Sequence, residues 1–159
     1  MSRKKKPFKR RLGKITLLIV LLTVGLPLAL IAFALDFLYR VALYLLVWTL
    51  WLPKGKDTLF VYSDSPIWHD YMAMQVLPLV KDRAVVLNWS ERNEWPRWSL
   101  AVAVFHHFGS ARDFNPLVLL FQPLHLAKVF RFWSAFFIVC KRGYKEPLER
   151  LRQELIDML

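Results

Sequence analysis

The chain has 159 residues, 56% of them hydrophobic, and a formal net charge of +11. Its one cysteine, Cys140, excludes an intrachain disulfide framework. Eight of the cations stand within residues 1–14, directly ahead of a long apolar run, a placement that favours anionic lipid headgroups over nucleic acid.

The basic arm, residues 1–14, carries Arg3, Lys4, Lys5, Lys6, Lys9, Arg10, Arg11 and Lys14 and no acid. It is expected to lie on the cytoplasmic face of a cell (inner) membrane and to touch its headgroups. Residues 15–53 follow with two charged side chains, Asp36 and Arg40. A cleaved signal peptide would place small residues after a short apolar core. Nothing after Leu35 has that form, so the segment is expected to remain in the mature protein.

Residues 15–35 supply the roughly 20 apolar residues that a crossing needs. Aromatic residues gather at Phe33, Phe37 and Tyr39, and again at Trp48 and Trp51 ahead of Lys54 and Lys56, as side chains at headgroup depth do. The spacing predicts a transmembrane hairpin over residues 15–53, with both ends in the cytoplasm. Two alternatives are a single crossing followed by an interfacial helix, and a re-entrant segment broken at Gly25-Leu26-Pro27. Asp36 and Arg40 stand four apart and share one helical face, so they are able to pair there.

From Lys54 the texture changes, and residues 54–159 carry fourteen basic against eleven acidic side chains. TLFVY (58–62), RAVVLNW (83–89) and PLVLLF (116–121) read as strands, and FFIVC (136–140) as a fourth. Residues 67–80 read as a helix with 67, 71, 74 and 77 on its apolar face. PRWSLAVAVFHHFG (96–109) opens on Pro and closes on Gly, the expected asymmetry of a helix. The terminal PLERLRQELIDML places Leu148, Leu151, Leu155 and Met158 on one side of another. Strands separated by helices predict a small three-layer α/β domain with a mostly parallel sheet, residues 54–159.

In such sheets ligands bind beyond the carboxyl ends of the strands. Three loops fall there: YSDSPIWHD, NWSERNEW and QPLH. They group Asp64, Ser65, His69, Asn88, Ser90, Glu91, Arg92, Gln122 and His125 on one rim. Asp64, His69 and Glu91 are the candidate acids and bases. Asn88, Ser90, Arg92, Arg97 and His125 are the candidate ligand contacts, the two arginines suiting an anion at a helix start. A plainer account also exists, in which Ser65-Pro66 opens a helix and Asp64 complements its dipole.

Other chemistries find no support. The five glycines, Gly13, Gly25, Gly55, Gly109 and Gly143, make no phosphate-cradling loop, and no serine has a nucleophile-elbow context. Adjacent His106 and His107 point about 100° apart on a helix, so no metal site and no cofactor are expected. The function this supports is a membrane-tethered binding or accessory module, with an anionic ligand or a membrane protein as partner. A membrane-bound transferase or hydrolase acting on a lipid-linked or phosphorylated substrate is the alternative. HLAKVFRFWSAFF (125–137), read as a helix, would set Lys128 and Arg131 beside Phe130, Trp133, Phe136 and Phe137, either at a lipid interface or in the core.

Overall fold

A computed structural model describes residues 14, 17–96, 98–109, 115–123 and 125–159. The arm residues from Arg3 to Arg11, and Arg97 of the candidate site, lie outside the described residues. The chain divides into two compact units, Met1–Ala42 and Leu43–Leu159.

The first unit is helical along its described length from Leu17, with every described side chain exposed. The helical run Leu17–Lys54 has 38 residues and is long and apolar enough to cross a membrane. At about 1.5 Å per residue it would extend roughly 57 Å, well beyond the ~30 Å of a hydrocarbon core. The predicted hairpin is therefore corrected to one continuous helix. Between Leu28 and Leu52 the sequence has no Gly or Pro, so nothing interrupts the backbone hydrogen bonds at Asp36.

Nor does Gly25-Leu26-Pro27 break the chain. A single π-turn, Leu21–Gly25, precedes α1 (Leu26–Leu50), and the Leu26 N–H donates to the carbonyl of Leu21, five residues back. Pro27 has no N–H to give to Thr23 and its ring needs room in the preceding turn, which a widened turn provides. The Thr23 hydroxyl donates to the Ile19 carbonyl at 2.8 Å, keeping that polar group satisfied among apolar neighbours.

The second unit is a three-layer α/β arrangement around a four-stranded sheet in the order β2-β1-β3-β4. The strands are β1 (Thr58–Tyr62), β2 (Ala84–Asn88), β3 (Leu117–Leu120) and β4 (Lys128–Arg131). One pair is parallel, β1 with β2, in the register Thr58↔Ala84 to Tyr62↔Asn88. β3 runs antiparallel to β1, and β4 antiparallel to β3, which overturns the mostly parallel sheet. β3 begins beside Val61, at the end where β2 also finishes, so it must run back toward Thr58. Among the described residues no helix lies between β3 and β4, and so short a connection allows antiparallel pairing alone.

Between β1 and β2, α2 (His69–Tyr71) and α3 (Leu77–Val80) are joined by a second π-turn, Met72–Val76. Like the first π-turn, it ends two residues before a proline, here Pro78. The apolar face differs from the expected one in part, since Tyr71 and Leu77 do pack against the core. Met72, Val76 and Val80 are buried, whereas Ile67 is 54% exposed and Met74 70%. Both sets follow helical spacing, and contact with the sheet selects between them.

The sheet alternates its side chains between two cores. Phe60, Val118, Leu120 and Phe130 pack with Met72, Val76, α5 (Phe132–Arg142) and α6 (Glu146–Ile156). Leu148 and Leu155 of α6 join them, with Leu151 and Met158 partly buried, as the terminal pattern predicts. Leu59, Val61, Leu117 and Leu119 face α4 (Leu100–Phe108) and the last two turns of α1, which bring Leu43 and Val47. FFIVC is part of helix α5 and not a strand. Lys128–Arg131 takes the strand instead, with Phe130 buried, so residues 125–137 form no single interfacial helix.

Candidate functional site

Because β1 and β2 are parallel with Tyr62 opposite Asn88, the loops that follow them emerge side by side. That topology brings Asp64, His69, Asn88, Ser90 and Glu91 together. The Asn88 Nδ2 donates to both carboxylate oxygens of Asp64 at 3.2 Å and to Glu91 Oε1 at 3.1 Å. Its Oδ1 accepts from the Ser90 backbone N–H at 3.0 Å, capping the short 3₁₀ turn Trp89–Glu94. In return the Asp64 N–H donates to the Ser90 hydroxyl at 3.0 Å. Asn88 thereby uses its acceptor and its amide group to tie the two loops together.

The question of the Ser-Pro step resolves in favour of a turn. The Ser65 hydroxyl accepts from Ile67 N–H at 3.5 Å and its carbonyl from Trp68 and His69 N–H at 3.2 and 2.9 Å, but α2 starts later, at His69. Asp64 is turned to Asn88 and does not cap the helix. His69 Nε2 lies 4.0 Å from Asp64 Oδ1, and its Nδ1 lies 3.2 Å from Asp70 Oδ1.

Aromatic residues flank this network, Tyr62 and Trp68 with one core and Trp89 and Trp95 with the other, and sequence reasoning overlooked them. The Tyr62 ring stands 5.9 Å from His69. Burial raises its hydroxyl pKa, and the negative charges of Asp64 and Glu91 raise it further, so the phenol stays protonated as a donor. The Trp68 indole donates to the buried Ser63 hydroxyl at 3.0 Å, and the Trp95 indole to the Asn88 carbonyl at 3.1 Å. Trp89 and Trp95 pack on each other and on Phe105. The available signal was two-residue alternation: Phe60 and Tyr62 share a sheet face, so a strand-end tyrosine belongs at the rim.

The remaining expected members have other partners. Arg92 is on the same 3₁₀ turn as Ser90 and Glu91, but holds its guanidinium 5.2 Å from the Trp89 ring centroid and donates to the Trp89 carbonyl at 3.4 Å. His125 and Gln122 do not reach the rim, because antiparallel β3 delivers them to the opposite end of the sheet, beside Thr58. There His125 Nδ1 donates to the Pro123 carbonyl at 2.9 Å, and Gln122 donates to the Met158 carbonyl at 3.1 Å. His106 is exposed and His107 half-buried. Among the described residues no group of three or more His, Cys, Asp or Glu is arranged to hold a metal ion.

The chain matches no family model, no curated protein and no solved structure.

Proposed function

We propose that the protein is a membrane-tethered binding module whose ligand meets the rim formed after β1 and β2. The supporting observation is the bonding of Asn88 to both Asp64 and Glu91, which links two loops into one fixed polar surface. Among the described residues neither carboxylate has a lysine or arginine partner. Two anions sharing one neutral donor favour an incoming cation, so the ligand class this supports is one carrying an amine or guanidinium. The anionic-ligand reading would instead need Asn88, Ser90 and Arg92 to turn away from their present partners.

The test is nuclear magnetic resonance of the full chain in detergent micelles, following the Asn88 side-chain amide. Putrescine is expected to shift that signal and inorganic phosphate to leave it in place, and Asp64→Asn with Glu91→Gln should remove the response. A shift with phosphate and none with putrescine would replace the cationic ligand by an anionic one.

A transferase or hydrolase remains the second reading, on one observation: His69 Nε2 lies 4.0 Å from Asp64 Oδ1, as a general base near an orienting acid would. The binding reading is preferred because Asn88 and Ser90 are occupied in holding loops together.

For localisation, the positive-inside rule keeps the basic arm in the cytoplasm, and one crossing by the apolar helix carries residues 43–159 to the opposite face. A reporter fused after Leu159 should therefore be active outside the cytoplasm. Activity inside would restore an even number of crossings.

A further inference from the structure

The outward side of α5 carries apolar and aromatic surface that the fold leaves uncovered. Phe132, Ala135 and Phe136 turn into the core, which points the opposite side of the helix to solvent. On that side Phe137 is 45% exposed and Ile138 37%, and Tyr144 just beyond is 66% exposed. Trp133 stacks on Phe137, with centroids 5.4 Å apart and planes 12° from parallel. The Lys141 Nζ stands 4.3 Å over the Phe137 ring. Arg142 and Lys145 follow, both exposed, so residues 141–145 hold three cations and no acid. The next acid, Glu146, is paired with Arg150 at 2.7 Å.

We infer that this face of α5 rests on an anionic bilayer surface. Bulky rings beside flexible cations are what interfacial attachment requires, since rings enter the acyl boundary while the cations meet headgroup phosphates. Two separate observations favour lipid over a protein partner: the three cations Lys141, Arg142 and Lys145 gathered at the end of the ring-bearing face, and the helix of the same chain that is long and apolar enough to cross a bilayer. The inference rests on the membrane-tethered reading, and it differs from the sequence expectation in its residues. Phe130 and Phe136 are core, Lys128 pairs with Glu154 at 2.6 Å, and the contact shifts to Trp133, Phe137, Ile138, Lys141, Arg142 and Lys145.

The protein contains its own probe, because its single cysteine, Cys140, is exposed and lies on α5. A nitroxide attached there, in the full chain held in nanodiscs, should become more accessible to oxygen and less to a nickel chelate when phosphatidylglycerol is added to phosphatidylcholine. Lys141→Glu, Arg142→Glu and Lys145→Glu should each lower the ratio of docked to free domain at least about fivefold at low salt, the effect of about 1 kcal/mol per surface cation. Phe137→Ser with Ile138→Ser keeps the charges and should also restore water access. Equal accessibility in both lipid compositions would overturn the inference. So would protection that persists in lipid-free micelles and grows with protein concentration, which would make this face a contact between copies of the chain. Failure of the chain to insert into nanodiscs at all would instead strike the membrane-tethered reading itself.

Discussion

Phe60→Ala is expected to lower the unfolding free energy by about 3–5 kcal/mol, a large part of the roughly 5–15 kcal/mol that holds a domain folded. Phe60 sits at the middle of β1, paired with Val86 on one side and Val118 on the other, and is 0% exposed. Its ring lies 5.6 Å from that of Tyr62 and belongs to the same core as Met72, Val76 and Phe130. A central strand has little freedom to collapse around a lost ring, because hydrogen bonds on both edges fix its backbone. The cavity therefore persists and adds to the lost transfer free energy. Urea denaturation of the full chain in micelles, followed by tryptophan fluorescence, measures the change. Phe137→Ala, on the exposed side of α5, should stay within about 0.5 kcal/mol. Comparable losses at both positions would mean that the assigned core is wrong.

The second large effect is at Asp57. Its carboxylate accepts from the Thr58 hydroxyl at 2.9 Å, from Arg83 Nε at 3.0 Å and from a second Arg83 nitrogen, while Arg83 also donates to the Leu159 carbonyl. The Asp57 and Thr58 N–H groups donate to the Arg83 carbonyl, and the Phe121 N–H donates to the Asp57 carbonyl. One residue thus gathers the starts of β1 and β2, the end of β3 and the C-terminus. The hydrogen bond to Asp57 raises the Arg83 pKa, outweighing burial, so the guanidinium is charged at any working pH. Asp57→Ala leaves that charge partly buried without its two-point partner, and the expected loss is about 2–3 kcal/mol. Arg83→Met should restore part of it in the double variant, because no unpaired charge then remains. The same urea experiment reads both. Losses that simply add would show that the pair is not coupled.

The ring of polar residues was half legible in the chain. Asp64, His69, Asn88, Ser90 and Glu91 meet because their two strands are parallel, the arrangement that a strand-helix-strand order favours. His125 was grouped with them on the assumption that β3 ran the same way, and a single reversal of direction moves it the full length of the sheet. Direction depends on which end of the sheet the chain has returned to, which no short pattern records. Tyr62, the aromatic neighbour of His69, was visible as a strand residue and became part of the rim once the strand's end was located.

Local patterns settled what local forces control. The apolar N-terminal helix, the strands at 58–62, 84–88 and 117–120 and the amphipathic terminal helix were set by residue type and period, which are properties of a short window whatever the element later packs against. Tertiary structure decided the rest. KVFR and FFIVC each satisfy more than one period over so short a run, and pairing with Leu117–Leu120 made the first a strand, while packing of Phe132 and Phe136 made the second a helix. The helix from 69 to 80 had two apolar faces to offer, and the sheet took Met72, Val76 and Val80. Pro27 would be a break in the re-entrant alternative and Pro78 falls inside the expected helix 67–80, and in each case a π-turn ending two residues earlier lets the helix continue. In each of these places the energies of the local alternatives are close, and long-range burial and hydrogen bonding, which no window of sequence contains, select among them.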